Sequence, residues 1–201
     1  MSPDKAPPPQ PVETGRFGKA GTFAALFAVI GAATAIVVPE TQRWEGREYV
    51  AYRDIANVLT ICDGDTTNVR AGQRADDAEC DSRLAKGLVA HAKPVMRCVP
   101  GLAAPERLQQ RAASVVLAYN IGPTGYCGSS IARRFNAGDW RGGCDAILLW
   151  NKARVPANQV ERYRKRGEVC TRQPDGRWLC TVRGLTNRRE AERKICLTGL
   201  S

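Results

Sequence analysis

Glu45-Gly46-Arg47-Glu48-Tyr49-Val50-Ala51-Tyr52-Arg53-Asp54-Ile55-Ala56-Asn57-Val58-Leu59-Thr60 is the stretch that decides how this chain reads. An acid is followed nine positions on by a second acid, and six further on by a hydroxyl. Cleaving a glycosidic bond asks for such parts: one carboxylic acid protonates the leaving oxygen, and a second carboxylate handles water or the developing cation. The two acids need different surroundings, so that one stays protonated near neutral pH while the other stays ionised. Glu45 adjoins Trp44 and lies near Tyr49 and Val50, an apolar setting suited to a protonated acid. Asp54 sits among Arg53, Asn57 and the polar turn Asp63-Gly64-Asp65-Thr66, which favours the ionised form. Thr60 alone reads as an ordinary strand residue. In register with both acids it reads as a catalytic hydroxyl.

The wider pattern resembles a known family. Glu45-Gly46, Tyr52-Arg53-Asp54 and Leu59-Thr60-Ile61-Cys62-Asp63-Gly64-Asp65-Thr66 resemble the active-site segment of the phage-type lysozymes, glycoside hydrolase family 24. The likeness continues through Tyr119-Asn120-Ile121-Gly122, Phe135-Asn136-Ala137-Gly138-Asp139-Trp140, Trp150 and Gly184-Leu185-Thr186-Asn187-Arg188-Arg189-Glu190. It implies an α+β, mainly helical, lysozyme-like domain of two lobes, one carrying a small β-hairpin, with Glu45 and Asp54 on opposite walls of a cleft. It also implies a muramidase with Glu45, Asp54 and Thr60 catalytic and with Tyr119, Asn120, Ser129, Ser130 and Trp150 lining the substrate site. Many members carry His where this chain has Asp65. Trp150 has an alternative reading as core, since large aromatics carry much of a small domain's burial. Asn120 suits sugar contact, because an amide donates and accepts at once.

Two hundred and one residues suffice for one domain with a real core and a short appendage. Residues 1–15 hold five prolines and read as a disordered cytoplasmic tail. Arg16 and Lys19 precede Ala20 to Val38, nineteen residues without a charge, so 16–39 reads as a signal-anchor and 40–201 as the catalytic domain. Seven Ala, two Gly and two Thr make that segment weakly apolar. A cleaved signal peptide competes, because Ala33-Thr34-Ala35 fits a small-x-small cleavage site. Lack of a polar face argues against a core helix. The third reading is a signal-anchor-release segment, as in a subset of the phage endolysins that the chain resembles. The basic N-terminal flank predicts an N-in, C-out orientation at the inner membrane, with the domain in the periplasm.

Lys and Arg number 30 against 20 Asp and Glu, a net charge of +10. From Arg154 onward twelve basic and five acidic residues hold most of that excess. Nucleic acid is a poor partner for it, since no zinc-finger spacing appears and few aromatics interleave the basic residues. Peptidoglycan and anionic envelope surfaces fit better, and a monomer is expected. Eight cysteines (62, 80, 98, 127, 144, 170, 180 and 196) include no Cys-x-x-Cys, which disfavours zinc ribbons and redox motifs. Outside the cytoplasm they read as disulfides. Cys170 and Cys180 flank the turn Gln173-Pro174-Asp175-Gly176-Arg177 and should pair across a hairpin.

His91 is the sole histidine, so no His-based metal site is available, and no Gly-x-Ser-x-Gly accompanies it for a serine triad. No metal or cofactor is called for. Helices are expected at 41–52 (with Glu45 near its start), 77–92, 105–120, 129–136, 140–152, 157–168 and 187–197, and a β-hairpin at 53–66. Asn187-x-x-Glu190 has capping-box spacing. Two alternatives stay open: a lytic transglycosylase acting on the same bond, and a non-catalytic envelope-binding protein on a lysozyme fold.

Overall fold

The computed structural model describes residues 22–54 and 57–200. The disordered-tail reading, Arg16 and Lys19, the start of the apolar segment and Ile55 lie outside the described residues. The chain divides into two compact units, one ending at Ala90 and one beginning at His91.

In the first unit the apolar segment is helical. α1 (Ala24–Ile30) leads through a single 3-10 turn, Gly31–Ala33, into α2 (Thr34–Glu45). Gly31 has φ 57, a left-handed conformation suited to glycine, and marks the break between the helices. Leu26, Ile30, Ala33, Val37 and Thr41 recur at spacings of three and four, and all are fully buried. The segment lacks a polar face in sequence yet buries one stripe; on its outer side Ala24, Ala25, Ala28, Ala32 and Ala35 are exposed together with Phe27.

The helix expected over 41–52 is corrected. α2 ends at Glu45, where Gly46 adopts φ 71 and its N–H bonds back to the Gln42 carbonyl at 3.2 Å. Tyr49, Val50 and Tyr52 then favour extended backbone. β1 (Glu48–Arg53) pairs antiparallel with β2 (Leu59–Cys62), so the hairpin begins five residues earlier than its sequence signal. The opposite edge of β1 bonds to the segment at Gln73 and Ala75. Ile61, Cys62 and Cys80 form a small core with Ala51, Val69 and Ala75. The Cys62–Cys80 disulfide ties β2 to α3 (Asp77–Cys98), whose N-terminal part belongs to this unit.

The second unit is built around α4 (Leu108–Ile121), buried from Gln110 through Ala118. A 3-10 turn opened by Pro105 leads into it. α5 (Pro123–Cys127), α6 (Ser130–Asn136) and α7 (Trp140–Asp145) follow, and α9 (Arg183–Leu197) packs along α4. Tyr126 donates from its buried hydroxyl to Ser114 Oγ at 2.7 Å. Disulfides Cys98–Cys127 and Cys144–Cys196 fasten this helical body. The sequence joined residues 140–152 into one helix. It stops at Asp145 and gives a 3-10 segment, after which Lys152–Val155 forms β3. A 3-10 turn and α8 (Val160–Lys165) replace the expected 157–168 helix. β4 (Cys170–Arg172) and β5 (Trp178–Thr181) complete a sheet ordered β3-β5-β4. Cys170 and Cys180 are directly opposed and disulfide-bonded, as their turn signal anticipates. α9 starts at Arg183, so Asn187 lies inside the helix and does not cap it.

Candidate active site

Glu45, Asp54 and Thr60 all belong to the first unit, and three local devices place them. Glu45 is the last residue of α2, and the Gly46 cap reverses the chain directly behind it. Its Oε2 would stand 3.5 Å from a methyl group added to Gly64, so the turn after β2 comes against the acid. Gly64 has φ 88, which an L residue rarely adopts.

Asp54 sits at the hairpin turn. Its Oδ1 accepts the Val58 N–H at 2.8 Å, and its own N–H bonds the Val58 carbonyl at 3.0 Å. Asn57 takes φ 63 to close the loop. The carboxylate is thus held by backbone and cannot swing freely. Thr60 is 4% exposed and stands opposite Tyr52 in the strand register. Its hydroxyl donates to the Val58 carbonyl at 3.2 Å, and its lone pairs remain suited to accept from water.

Tyr52 connects the candidate residues through the strand register. Side chains two apart on a strand share a face, so Tyr52, Asp54 and the opposed Thr60 lie together. The Tyr52 phenol is pushed above its ordinary value by burial first, then by the negative charges of Glu48, Asp54 and Glu45. Both candidate catalytic acids therefore act on one phenol.

Sequence spacing gave no sign of the cluster behind Glu45. Arg47 binds Asp63 through two hydrogen bonds, at 3.2 and 2.8 Å, and also reaches Asp81 at 2.8 Å and Asp77 at 3.0 Å. Burial works to lower the Arg47 pKa, but the hydrogen bonds it donates to Asp63 and Asp81 outweigh it and hold the guanidinium charged. Asp63 is 1% exposed. Its pKa is raised by burial, which the Arg47 hydrogen bond opposes, while Asp81 and Glu45 add to the rise. The partners lie 16 and more residues apart, and only the folded chain pairs them. Asp65, where many family members carry His, forms an ion pair with Arg83 at 2.7 Å. Burial would raise its pKa, yet hydrogen bonds from Thr67 and Arg83 bring it below the usual carboxylate range.

The other candidates lie in the second unit. Tyr119 and Asn120 end α4; Asn120 is exposed, and its Oδ1 accepts from the buried Arg189 at 3.0 Å. Arg189 is also paired with the buried Glu192 at 2.9 Å. The His91 and Tyr119 rings meet at a tilt of 51°, their centroids 5.0 Å apart. Ser129 is buried, and its hydroxyl caps α6 by accepting from Ala132 N–H at 3.2 Å. Ser130 is half-buried as the first residue of that helix. Trp150 is half-buried over Gly125, where an added methyl would meet its ring at 3.6 Å.

Known proteins resemble this chain over most of its length. The family described as phage lysozyme matches residues 42–192. The SAR-endolysin of Pseudomonas phage phiKMV is 33% identical over 168 residues, covering 83% of this chain and 89% of the relative. The SAR-endolysin of Enterobacteria phage P21 is 31% identical over 156 residues, 77% of this chain and 78% of the relative. Among solved structures, the endolysin from Escherichia coli O157:H7 phage FAHEc1 superposes with a TM-score of 0.65 at 24% identity, covering 85% of this chain and 94% of that one. The structural likeness establishes the lysozyme fold.

Proposed function

This chain belongs to the phage lysozyme family, and we propose that Glu45 is its general acid, with Asp54 and Thr60 directing the attacking water. The enzyme is an endolysin muramidase that hydrolyses the β-1,4 bond between N-acetylmuramic acid and N-acetylglucosamine in peptidoglycan. Glu45 protonates the glycosidic oxygen as the bond breaks. A water donates one hydrogen bond to Asp54 and another to Thr60 Oγ1, its lone pair attacks the anomeric carbon, and its proton passes to the Asp54 carboxylate as the new bond forms. Inversion by this route needs about 6.5–9.5 Å between the carboxyl groups, room enough for that water.

The observation that carries this reading is the shared hairpin face. Tyr52, Asp54 and Thr60 lie together there, and the charges of Asp54 and Glu45 both bear on the Tyr52 phenol. Backbone fixation of Asp54 supplies the preorganisation that water activation requires. Tyr119, Asn120, Ser130 and Trp150 bind the glycan in this reading, and Ser129 contributes through the helix it caps. Hydrolysis needs only water and a proton, so no cofactor takes part.

The apolar helix Ala24–Glu45 is long enough to cross a membrane. We place the newly exported enzyme at the inner membrane, N-in and C-out, before it moves to the periplasm as a monomer. A muropeptide digest read by mass spectrometry tests the chemistry. Reducing-end hydrolysis products support water as acceptor, anhydro products indicate a transglycosylase, and no products indicate a binding protein.

A further inference from the structure

The catalytic reading leaves Lys152–Arg183 unused, and this segment folds around a core of its own. β3, β5 and β4 form the sheet, and Val155, Val160 and Cys180 pack with Tyr163, Cys170 and Trp178. The Cys170–Cys180 disulfide closes it. Register pairs Val155 with Trp178 and Ala153 with Cys180, which turns that face to the small core. Lys152 pairs with Thr181 and Arg154 with Leu179, which puts both basic side chains on the other face. There a cavity of about 370 Å³ is lined by Arg154, Gln173, Pro174, Asp175, Arg177 and Leu179.

Charge is concentrated in this module. Its 32 residues hold nine Lys or Arg against three Asp or Glu. Lys152, Arg154, Lys165 and Arg172 are exposed and have no ion-pair partner among the described residues. Arg177 is paired with Asp175 at 2.6 Å. Asp175 is held below its ordinary value, first by a backbone hydrogen bond from Arg177 and then by its side chain, with Arg154 adding to the effect. So many like charges on one small body repel one another, and an anionic partner relieves that repulsion.

We propose that Lys152–Arg183 is a second peptidoglycan-binding site, in which Lys152, Arg154 and Arg177 hold carboxylates of the peptide stems. The proposal rests on the muramidase reading, which makes a polymer rich in peptide carboxylates the substrate. A lipid-binding face needs large apolar side chains to insert. Val169 is the only large exposed hydrophobic residue among those described in this module. Nucleic acid needs open aromatic faces for stacking. Arg164 already lies 5.0 Å over Trp178, and Arg166 lies 4.9 Å over Tyr163. Charge without apolar anchors suits a hydrated carboxylate polymer. Such a site keeps the enzyme on an insoluble substrate between cuts.

The test uses the full chain with Glu45→Gln, so that binding is read without digestion. This parent and its triple variant Lys152→Glu, Arg154→Glu, Arg177→Glu are sedimented with purified sacculi. The same sacculi with their carboxylates amidated serve as the uncharged control. Three exposed charge contacts predict about a tenfold loss of binding to native sacculi for the triple variant. Parent and variant should bind amidated sacculi equally weakly. A variant binding native sacculi as tightly as the parent overturns the proposal, as does a parent indifferent to amidation. Parent and variant are also sedimented with phosphatidylglycerol vesicles, and a loss of binding confined to those vesicles overturns the proposal in favour of lipid. Lys152→Gln, Arg154→Gln repeats the measurement if the reversed charges impair folding, judged by melting. Muropeptide release by the unsubstituted enzyme is scored separately, so failure of the muramidase reading is seen by itself.

Discussion

Glu45 Oε2 lies at van der Waals distance, 3.5 Å, from the space a methyl group on Gly64 would fill. Gly64, two residues past β2, is therefore part of the acid's enclosure, although it follows Glu45 by nineteen positions in sequence. Gly64→Ala should cost about 1–2 kcal/mol of stability, since φ 88 strains any residue with a Cβ. It should also lower kcat on peptidoglycan beyond what partial unfolding explains. Melting and initial rates at a temperature well below the transition check both. Unchanged kcat would remove Gly64 from the site.

Glu45→Gln keeps the shape and removes the proton donor, so hydrolysis should fall by about 10²–10⁴-fold with the melting curve intact. Asp54→Asn should be comparably severe, because asparagine retains the oxygen that accepts the Val58 N–H and loses only the charge. Thr60→Ser should keep most activity and Thr60→Ala little, since the hydroxyl is the functional part. Glu48→Gln should be mild, as Glu48 is exposed. A Glu45→Gln enzyme keeping a tenth of the rate would falsify its role.

The Asp65–Arg83 pair predicts how the protein responds to acid. The folded Asp65 pKa is lowered, so its stabilising contribution is fully present above the ordinary aspartate value of about 3.9. That contribution is lost as pH falls through the lowered folded-state value. Asp65→Asn should lower the melting temperature near neutrality and reduce its decline between about pH 5 and pH 2. Parallel declines in both proteins would mean that Asp65 contributes no such linkage.

The four disulfides should differ in worth. Cys144–Cys196 spans 52 residues and Cys170–Cys180 spans 10. On chain entropy alone the first contributes about 4 kcal/mol and the second about 2.7 kcal/mol. Paired Cys→Ala substitutions at each bridge, compared by denaturant unfolding, should keep that order. Alkylation of the oxidised enzyme should find at most traces of free thiol.

Legibility in the sequence followed the range of the interactions. A β-hairpin near Asp54 and the Cys170–Cys180 turn were readable because their causes lie within about fifteen residues. The helix expected over 41–52 was wrong because Gly46 stops it, and one glycine in a helical pattern is an ambiguous signal. Asn187 had capping spacing, but the helix starts earlier at Arg183. Arg47 with Asp63, Asp77 and Asp81 was invisible, because nothing local distinguishes a charge that will be buried by a distant partner.

The apolar helix gives the last prediction. Glu45 and the apolar run share one helix, α2, so Glu45 stands only seven residues, a rise of about 10 Å, beyond Val38. In the folded enzyme Leu26, Ile30, Ala33 and Val37 are buried, while Ala28, Ala32 and Ala35 face outward. A membrane-bound segment cannot also supply that buried stripe, so the release proposed above predicts that this packing forms only once the segment leaves the bilayer. Apart from Phe27, the exposed residues of this segment are alanines, which eases departure, because alanine gains little from lipid and exposes little in water. Ala28→Leu, Ala32→Leu and Ala35→Leu add about 0.5 kcal/mol of insertion free energy each without touching the buried stripe. Together they should raise the membrane-bound to soluble ratio about tenfold and delay lysis. Gly31 is avoided because its φ of 57 would strain leucine. Rates of the solubilised enzyme should be unchanged. The deciding measurement is the intact mass of the soluble periplasmic protein. A chain that keeps Leu26 and Ile30 supports release of the whole helix. A chain beginning at Ile36 means that a peptidase removed them, and the released enzyme then lacks three of the five stripe residues, Leu26, Ile30 and Ala33.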